Sequence, residues 1–267
     1  MNQSTDPDLF RVPLAEQASR LIQTLRQAPG DARLRVHYAQ LCMVMGEWER
    51  AVGQLQTAAQ LTPEAIAMAQ AYREAIRCER IRERVLQGEL SPSTIGEPAA
   101  WLQTLSQSLT SRAQGDSAQA AALQAQAFEQ APETPFLIDD EPVQWLADAD
   151  SRLGPVLEAF LNGHYYWIAF EDIRTLELDA PTDLRDLVWT PARLTLVNGD
   201  QHPVLIPSRY PLSHAQGNDA LALSSLTEWQ ALEEDLWAGL GQRMLVSSAG
   251  EHPLLGVRRI TTRASAA

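Results

Sequence analysis

The sequence predicts an α+β chain in two parts, an α–α superhelix of helical hairpins over residues 1–135 and a β-rich half over residues 136–267. Three observations predict it. A four-residue skeleton occurs twice in one register, Gly46, Ala51, Ala58, Pro63 and then Gly115, Ala120, Ala127, Pro132, with steps of five, seven and five residues. Helical periodicity prevails as far as Pro132 and gives way to period-two segments beyond it. Two Asn-Gly pairs, Asn162-Gly163 and Asn198-Gly199, stand between such segments, the strongest short-range sign of a hairpin.

The helical elements follow in order. Leu14 to Gln27 places Leu14, Ala18, Leu21, Ile22 and Leu25 at helical spacing and stops at Pro29-Gly30. Pro29 to Pro63 is 34 residues, the period of a tetratricopeptide repeat. Residues 32–63 resemble one such repeat, with Ala39 at the small position, Gly46 at the turn, Trp48 after it, then Ala51, Ala58, Leu61 and Pro63. Glycine enters left-handed backbone freely, small residues let helices approach, and proline ends the second helix. Residues 14–28 then read as the second helix of a partial repeat. Arg35 and Cys42 depart from the pattern, which prefers a large apolar residue and an aromatic there.

Ala65 to Leu86 reads as one long helix closed at Gly88. Met68, Tyr72, Ala75, Ile76 and Leu86 share one face, and Arg73, Arg77, Arg80 and Arg84 share another. That row is either a solvated face with local pairs such as Glu79 and Arg82, or an anchor for an acidic partner. Ser91 to Pro98 is a loop, and Trp101–Arg112 with Asp116–Gln130 makes a last, alanine-rich hairpin. In such arrays the first helix of each pair lines the concave surface. Arg33, Val36, Gln40, Met43 and Val44 are therefore candidate partner-binding residues, because a flexible methionine beside apolar neighbours suits an amphipathic helix. The alternative is that Val36, Met43 and Val44 pack on the partial repeat before them.

In the second half, Leu157–Leu161 and Tyr165–Phe170 flank the first Asn-Gly turn, and Ala192–Val197 and Pro203–Pro207 flank the second. Arg174–Leu178 is a strand between them. Arg243–Ser247 and Leu254–Ile260, joined around Gly250, read as a third pair, and Ser225–Gly239 reads as a helix. Five to seven short strands with one helix fit a small, partly open barrel or a sandwich.

Composition narrows the chemistry. The chain is 45% hydrophobic with no apolar run near the length of a membrane span, so no membrane insertion is expected. Met1 to Asp8 is polar and acidic and lacks the marks of a signal peptide. Cys42 and Cys78 both fall in helical segments, which favours a reducing cytoplasm over a disulfide framework. All 21 basic residues are arginine, which excludes Schiff-base lysine catalysis and a lysine-bearing P-loop. The net charge is −13, with −3 over residues 1–135 and −10 over residues 136–267, so the C-terminal half repels nucleic acid, while five arginines crowd into Arg73 to Arg84.

No motif marks a catalytic centre, a cofactor or a metal. His37, His164, His202, His214 and His252 are scattered, with no pair four residues apart. Asp148-Ala149-Asp150 with Gly154 resembles the start of a calcium loop but lacks the closing glutamate. The same acids are placed to cap a turn or to pair with Arg152 and Arg185. Asp139-Asp140-Glu141 reads as a solvated linker.

Residues 145–210 carry a distinctive text, WLADADSRLGPVLEAFLNGHYYWIAFEDI, then DLRDLVWTPARLTLVNGD and LIPSRYP. With AQAYREAIRCERIRERVLQGE and GEPAAWLQTL upstream, it resembles the ImpE family, also called TagJ or SciE-type proteins, accessory components of bacterial type VI secretion. The resemblance implies a tetratricopeptide-like helical domain followed by a partly open, SH3-like β-barrel. It implies a cytoplasmic, non-catalytic adaptor without a cofactor. Its implied partners are the N-terminal helix of the small sheath subunit and the AAA+ ATPase that disassembles the contracted sheath. The residues matching the family signature are Asp148, Asp150, Arg152, Arg185, Asp186, Trp189, Arg209 and Tyr210. They either hold the barrel and the domain junction together or form a ligand or partner surface. The second case calls for a polar pocket where Asp148, Arg185 and Tyr210 converge, as in a small-ligand or enzymatic barrel.

Overall fold

The computed structural model describes residues 11–233 and 236–263. The reading of Met1 to Asp8 lies outside them. Helix α1 (Leu14–Gln27) packs on the hairpin of α2 (Ala32–Val44) and α3 (Trp48–Leu61), followed by the long α4 (Ile66–Leu86). A short strand β1 (Ser93–Thr94) precedes the hairpin of α5 (Ala100–Ala113) and α6 (Ser117–Gln130). Asp31 caps α2 by accepting from the backbone N–H groups of Arg33 at 2.8 Å and Leu34 at 3.1 Å. The repeated skeleton has a matching geometry at both turns. Gly46 (φ +70°) and Gly115 (φ +84°) follow α2 and α5 in left-handed backbone. The next N–H reaches back to Cys42 at 2.8 Å in one case and to Ser111 at 3.0 Å in the other, closing the helix ends.

The C-terminal part is sheet-rich. Its strands are β2 (Phe136–Ile138), β3 (Glu141–Val143), β4 (Leu146–Asp148), β5 (Val156–Leu161), β6 (His164–Ala169), β7 (Ile173–Leu178), β8 (Trp189–Leu196) and β9 (Gln201–Pro207). After a short helix α7 (Asp219–Ala222) come β10 (Thr227–Glu233), β11 (Leu236–Gly241), β12 (Met244–Ser247), β13 (Gly250–Pro253) and β14 (Arg259–Thr262). Nine strands form one open sheet in the order β1-β6-β5-β9-β8-β7-β14-β2-β3. Two smaller sheets, β10-β11 and β13-β12-β4, complete the described strands, and no barrel closes among them. Strand β1 runs parallel to β6, so the helical part contributes an edge to this sheet.

Both Asn-Gly sites are hairpins, β5–β6 and β8–β9. In the first, Asn162 (φ +49°) and Gly163 both adopt left-handed backbone, as a two-residue turn requires. The second is wider. Only Gly199 is left-handed, and the Asn198 side chain accepts from the Asp200 N–H at 2.9 Å.

Three expectations are corrected. Residues 225–239 are not helical; Thr227–Glu233 and Leu236–Gly241 pair as antiparallel strands. The residues are good helix formers, but the second strand is held by tertiary bonds that a helix cannot make, such as Gly239 N–H to the Asp150 carboxylate at 3.1 Å. Strand β12 pairs with Gly250–Pro253 and with β4, whereas Arg259–Thr262 crosses to β2 and β7. Pro253 leads into a tight turn at Leu254–Gly256 that redirects the chain. Asp139-Asp140 is the turn of the β2–β3 hairpin rather than a linker, and the Asp139 carboxylate accepts from the N–H groups of Arg258 and Arg259.

One apolar cluster crosses from helices to sheet. It joins Leu41, Met43 and Val44 of α2, Trp48 of α3 and Tyr72 of α4 to Phe160, Trp167 and Trp189. The Trp189 ring lies 5.8 Å from Trp48 and 6.3 Å from both Tyr72 and Phe160, at tilted angles. A second cluster, including Phe136, Leu157, Ile173, Leu194 and Ile260, fills the other side of the sheet. Among the described residues no helix is long and apolar enough to cross a membrane.

Candidate functional site

The most distinctive chemistry lies between the helices and the sheet. Helix α4 turns Glu79 and Arg82 inward, and strand β5 presents Glu158 to them. Arg82 is fully buried and grips Glu158 with both ends of its fork, while Nη1 donates to Glu79 at 2.9 Å and to the Arg209 carbonyl at 3.1 Å. The other Glu79 oxygen accepts from the Trp189 indole at 2.8 Å. Tyr165 donates its hydroxyl to Glu158 and accepts the Trp167 indole N–H at 2.6 Å. Arg243 then bridges two carboxylates. Its Nε lies 2.5 Å from Asp148, and its Nη1 lies 3.1 Å from Glu158 without hydrogen-bond alignment. Tyr210 and the Asp150 N–H complete the Asp148 shell at 3.0 and 2.8 Å.

Arg209 belongs to the same junction. Its guanidinium donates to the carbonyls of Val44 at 2.7 Å, Met43 at 3.0 Å and Ala222 at 2.5 Å. Two of these are end-of-helix carbonyls of α2, where a cation also meets the negative end of the helix dipole. The linked set thus holds three arginines (82, 209, 243) against three carboxylates (79, 148, 158), a neutral sum, and the buried Asp150 beside it is balanced by Arg152.

Electrostatics follow from this geometry. Burial pushes Glu158 up, but the charges of Arg82 and Arg243 reverse that and hold it at about 2. Burial lowers Arg209 to about 10, since its bonds go to carbonyls rather than to a carboxylate. Glu83 is different: burial and the neighbouring Glu79 raise it to about 7, and its Oε1 has no hydrogen-bond partner.

The signature residues separate into groups. Asp148, Arg209, Tyr210 and Trp189 lie in the junction. Asp150 pairs with Arg152 at 2.6 Å. Asp186 accepts from Thr182 at 2.7 Å and shapes a turn. Arg185 does not join the acids at 148 and 150; it pairs with Asp183 and lies 4.6 Å over the Tyr72 ring. Asp148, Arg185 and Tyr210 therefore do not converge in a common pocket. A cleft of about 620 Å³ runs past Asp148 between α6 and β4, walled by Trp101, Phe128 and Trp145. Asp148 is bonded to Arg243 and Tyr210 rather than directed into that space. Among the described residues no cluster of His, Cys, Asp or Glu is arranged to hold a metal.

The expected concave surface also differs. Gln40, Met43 and Val44 are buried because the C-terminal part packs over the end of α2 and Arg209 caps it. Arg33 is exposed and Val36 half-buried. The α4 row is exposed, with Arg77 donating to the Gly163 carbonyl at 2.5 Å, Arg80 paired with Glu49, and Arg84 paired with Glu89 at 2.9 Å. Sequence reasoning missed Arg82, Glu158 and Arg243. One signal was present for the first: Arg82 is out of step with the exposed row and lies seven residues after Ala75, on the apolar face.

Comparison with known proteins agrees with this architecture. The model of the family described as "ImpE protein" matches residues 140–261. The crystal structure of protein VPA1032 from Vibrio parahaemolyticus superposes with a TM-score of 0.85 at 25% identity, covering 95% of each chain. A Pseudomonas aeruginosa protein named "Type VI secretion system accessory component TagJ" is 43% identical over 254 residues, which is 95% of this chain and 89% of that one. On that identity across nearly its whole length, the chain belongs to the ImpE/TagJ family of type VI secretion accessory proteins.

Proposed function

We propose that this protein is a non-enzymatic, cytoplasmic adaptor of a type VI secretion system. In this reading its tetratricopeptide-like helical part (1–135) binds a helix of the small sheath subunit. Its SH3-like part (136–267) offers a second contact, to the AAA+ disassembly ATPase. The observation that carries the reading is the 43% identity to a relative named as an accessory component of that system. The geometry supports an adaptor in one respect: the Asp148 and Glu158 carboxylates are bonded to Arg243, Tyr210 and Arg82 rather than presented to a ligand.

The contact surface on the helical part is Arg33 and Val36 at the start of α2 together with the α4 row of Arg73, Arg77, Arg80 and Arg84, because these side chains reach solvent. A fluorescent peptide of the sheath subunit's N-terminal helix, titrated with the full chain, tests it. Affinity in the micromolar range that weakens on Arg73→Glu/Arg80→Glu supports the reading. No binding, or binding unchanged by the reversal, overturns it.

A further inference from the structure

Strands β10 and β11 form a two-stranded ribbon whose inner strand is tied to the body of the protein. Gly239 N–H donates to Asp150 at 3.1 Å and Gly241 N–H to the Ser213 hydroxyl at 2.7 Å. The Trp237 and Gly241 carbonyls accept from the N–H groups of Ser151 at 3.0 Å and Tyr210 at 2.9 Å. Residues 237, 239 and 241 therefore spend their backbone groups away from β10. An antiparallel ladder alternates, so the residues opposite them do the same on the other side. Thr227, Trp229 and Ala231, paired with Gly241, Gly239 and Trp237, direct N–H and C=O outward. No other described strand meets that edge.

The edge is only lightly protected, by the Glu228 charge and by a register shift at its far end. Natural sheets blunt an open edge with lysine, proline or a cover, because unpaired N–H and C=O groups recruit another strand. Residues 227–231 contain neither lysine nor proline and are exposed along most of their length. A register shift between Ala231 and Glu233 limits the open edge to this stretch. Trp229 and Trp237 share one face of the ribbon and are 38% and 47% exposed, and Leu226 and Leu232 nearby are similarly open. The charge is one-sided: between Arg209 and Arg243 the chain has five acids and no arginine. Glu233 is engaged by Arg112, whereas Glu228 is exposed.

We propose that the outer edge of β10 is a strand-addition site for an extended, arginine- or lysine-bearing segment of a partner protein. The backbone of residues 227–231 supplies the ladder, the exposed indoles of Trp229 and Trp237 receive cations from alternate side chains on their shared face, and Glu228 adds negative charge on the opposite face. A second copy of this chain is the poorer occupant, since it sets the same arginine-free, acidic segment against itself. This site is separate from the helical surface proposed above and stands whether or not the sheath helix binds there.

The test uses the full chain and two fluorescein-labelled peptides of about eight residues, one alternating arginine and valine, the other glutamate and valine. Fluorescence anisotropy should show the arginine peptide binding at least ~10-fold tighter, and Ala231→Pro weakening it at least ~10-fold. Proline there removes an outward N–H while sparing the ladder to β11. Hydrogen exchange on the unaltered chain, which needs no variant to fold, should show the Trp229 and Ala231 amides slowed by the peptide. Non-specific attraction to an acidic protein would leave both amides and the Ala231→Pro variant indifferent. That result, or no binding by the arginine peptide, overturns the proposal. So does slow exchange at these amides without peptide together with dimers in light scattering, which would make a second copy the occupant.

Discussion

Arg82 of α4 holds Glu158 of β5 in a two-pronged contact, Nε to Oε1 at 2.9 Å and Nη2 to Oε2 at 2.8 Å, across 76 residues of chain. Both side chains are fully buried, so neither has water to fall back on. Arg82→Met is expected to leave Glu158 and Glu79 facing an apolar group and to cost about 3–5 kcal/mol, as breaking a buried pair does. Arg82→Met/Glu158→Gln should cost less than the sum of the single changes, because the two residues act as one unit. Urea unfolding at neutral pH measures both, and full additivity would refute the coupling.

Arg209 should also be intolerant, for another reason. Its three acceptors are carbonyls of Met43, Val44 and Ala222; Met43 also accepts from the Gly46 N–H at 3.1 Å, whereas Val44 and Ala222 depend on Arg209 in a dry interior. Arg209→Met is expected to destabilise by about 2 kcal/mol or more, from two carbonyls left unsatisfied at roughly 1 kcal/mol or more each. Arg209→Lys should recover only part of this, since an ammonium lacks the fork. Hydrogen exchange should locate the loosening at the end of α2.

Gly46→Ala combines two costs. The residue sits at φ +70°, and a methyl group placed there would lie 2.0 Å from the His214 ring. Strain of roughly 1 kcal/mol adds to overpacking of about 1–3 kcal/mol. A lowered melting temperature, partly restored by His214→Ala, is the expected pattern. The restoration separates steric conflict from backbone strain.

Glu83 supplies a pH dependence with a definite sign. Burial and Glu79 raise it to about 7 in the folded chain, above the ordinary 4.5. Between those values the folded state holds a proton that the unfolded state has lost, so this group's contribution is full below pH 4.5 and fades as pH rises through 7. Glu83→Gln should therefore gain on the parent protein as pH goes from 5 to 8, by about 1 kcal/mol once the partly exposed carboxylate is discounted for screening. Thermal melts at the two pH values measure it, and a constant difference would contradict the assignment.

Much of the local structure was legible. The span Leu14–Gln27 and both Asn-Gly hairpins carry their signals locally, the helix in the 3.6-residue spacing of its apolar side chains and the hairpins in the backbone conformation of their turns. Residues 225–239 misled because Glu, Leu, Ala and Gln favour a helix when no partner is present. The ribbon forms because Asp150, Ser151, Tyr210 and Ser213 offer bonds from up to 89 residues away. The same distance hid Arg243, which reaches Asp148 across 95 residues. Asp148, Arg209 and Tyr210 stood out through a resemblance, while their work became visible only when α2, β4 and β5 were set side by side.

The neutral cluster of charges also constrains how such a chain can be rebuilt. Glu79 and Arg82 come from one half, Asp148, Glu158, Arg209 and Arg243 from the other. Each half's share is neutral by itself, but a graft of the helical half onto another protein would bring Arg82 into a dry seam without the Glu158 carboxylate that its fork holds. The halves can be engineered only as a matched pair, and their relative angle is fixed by that seam.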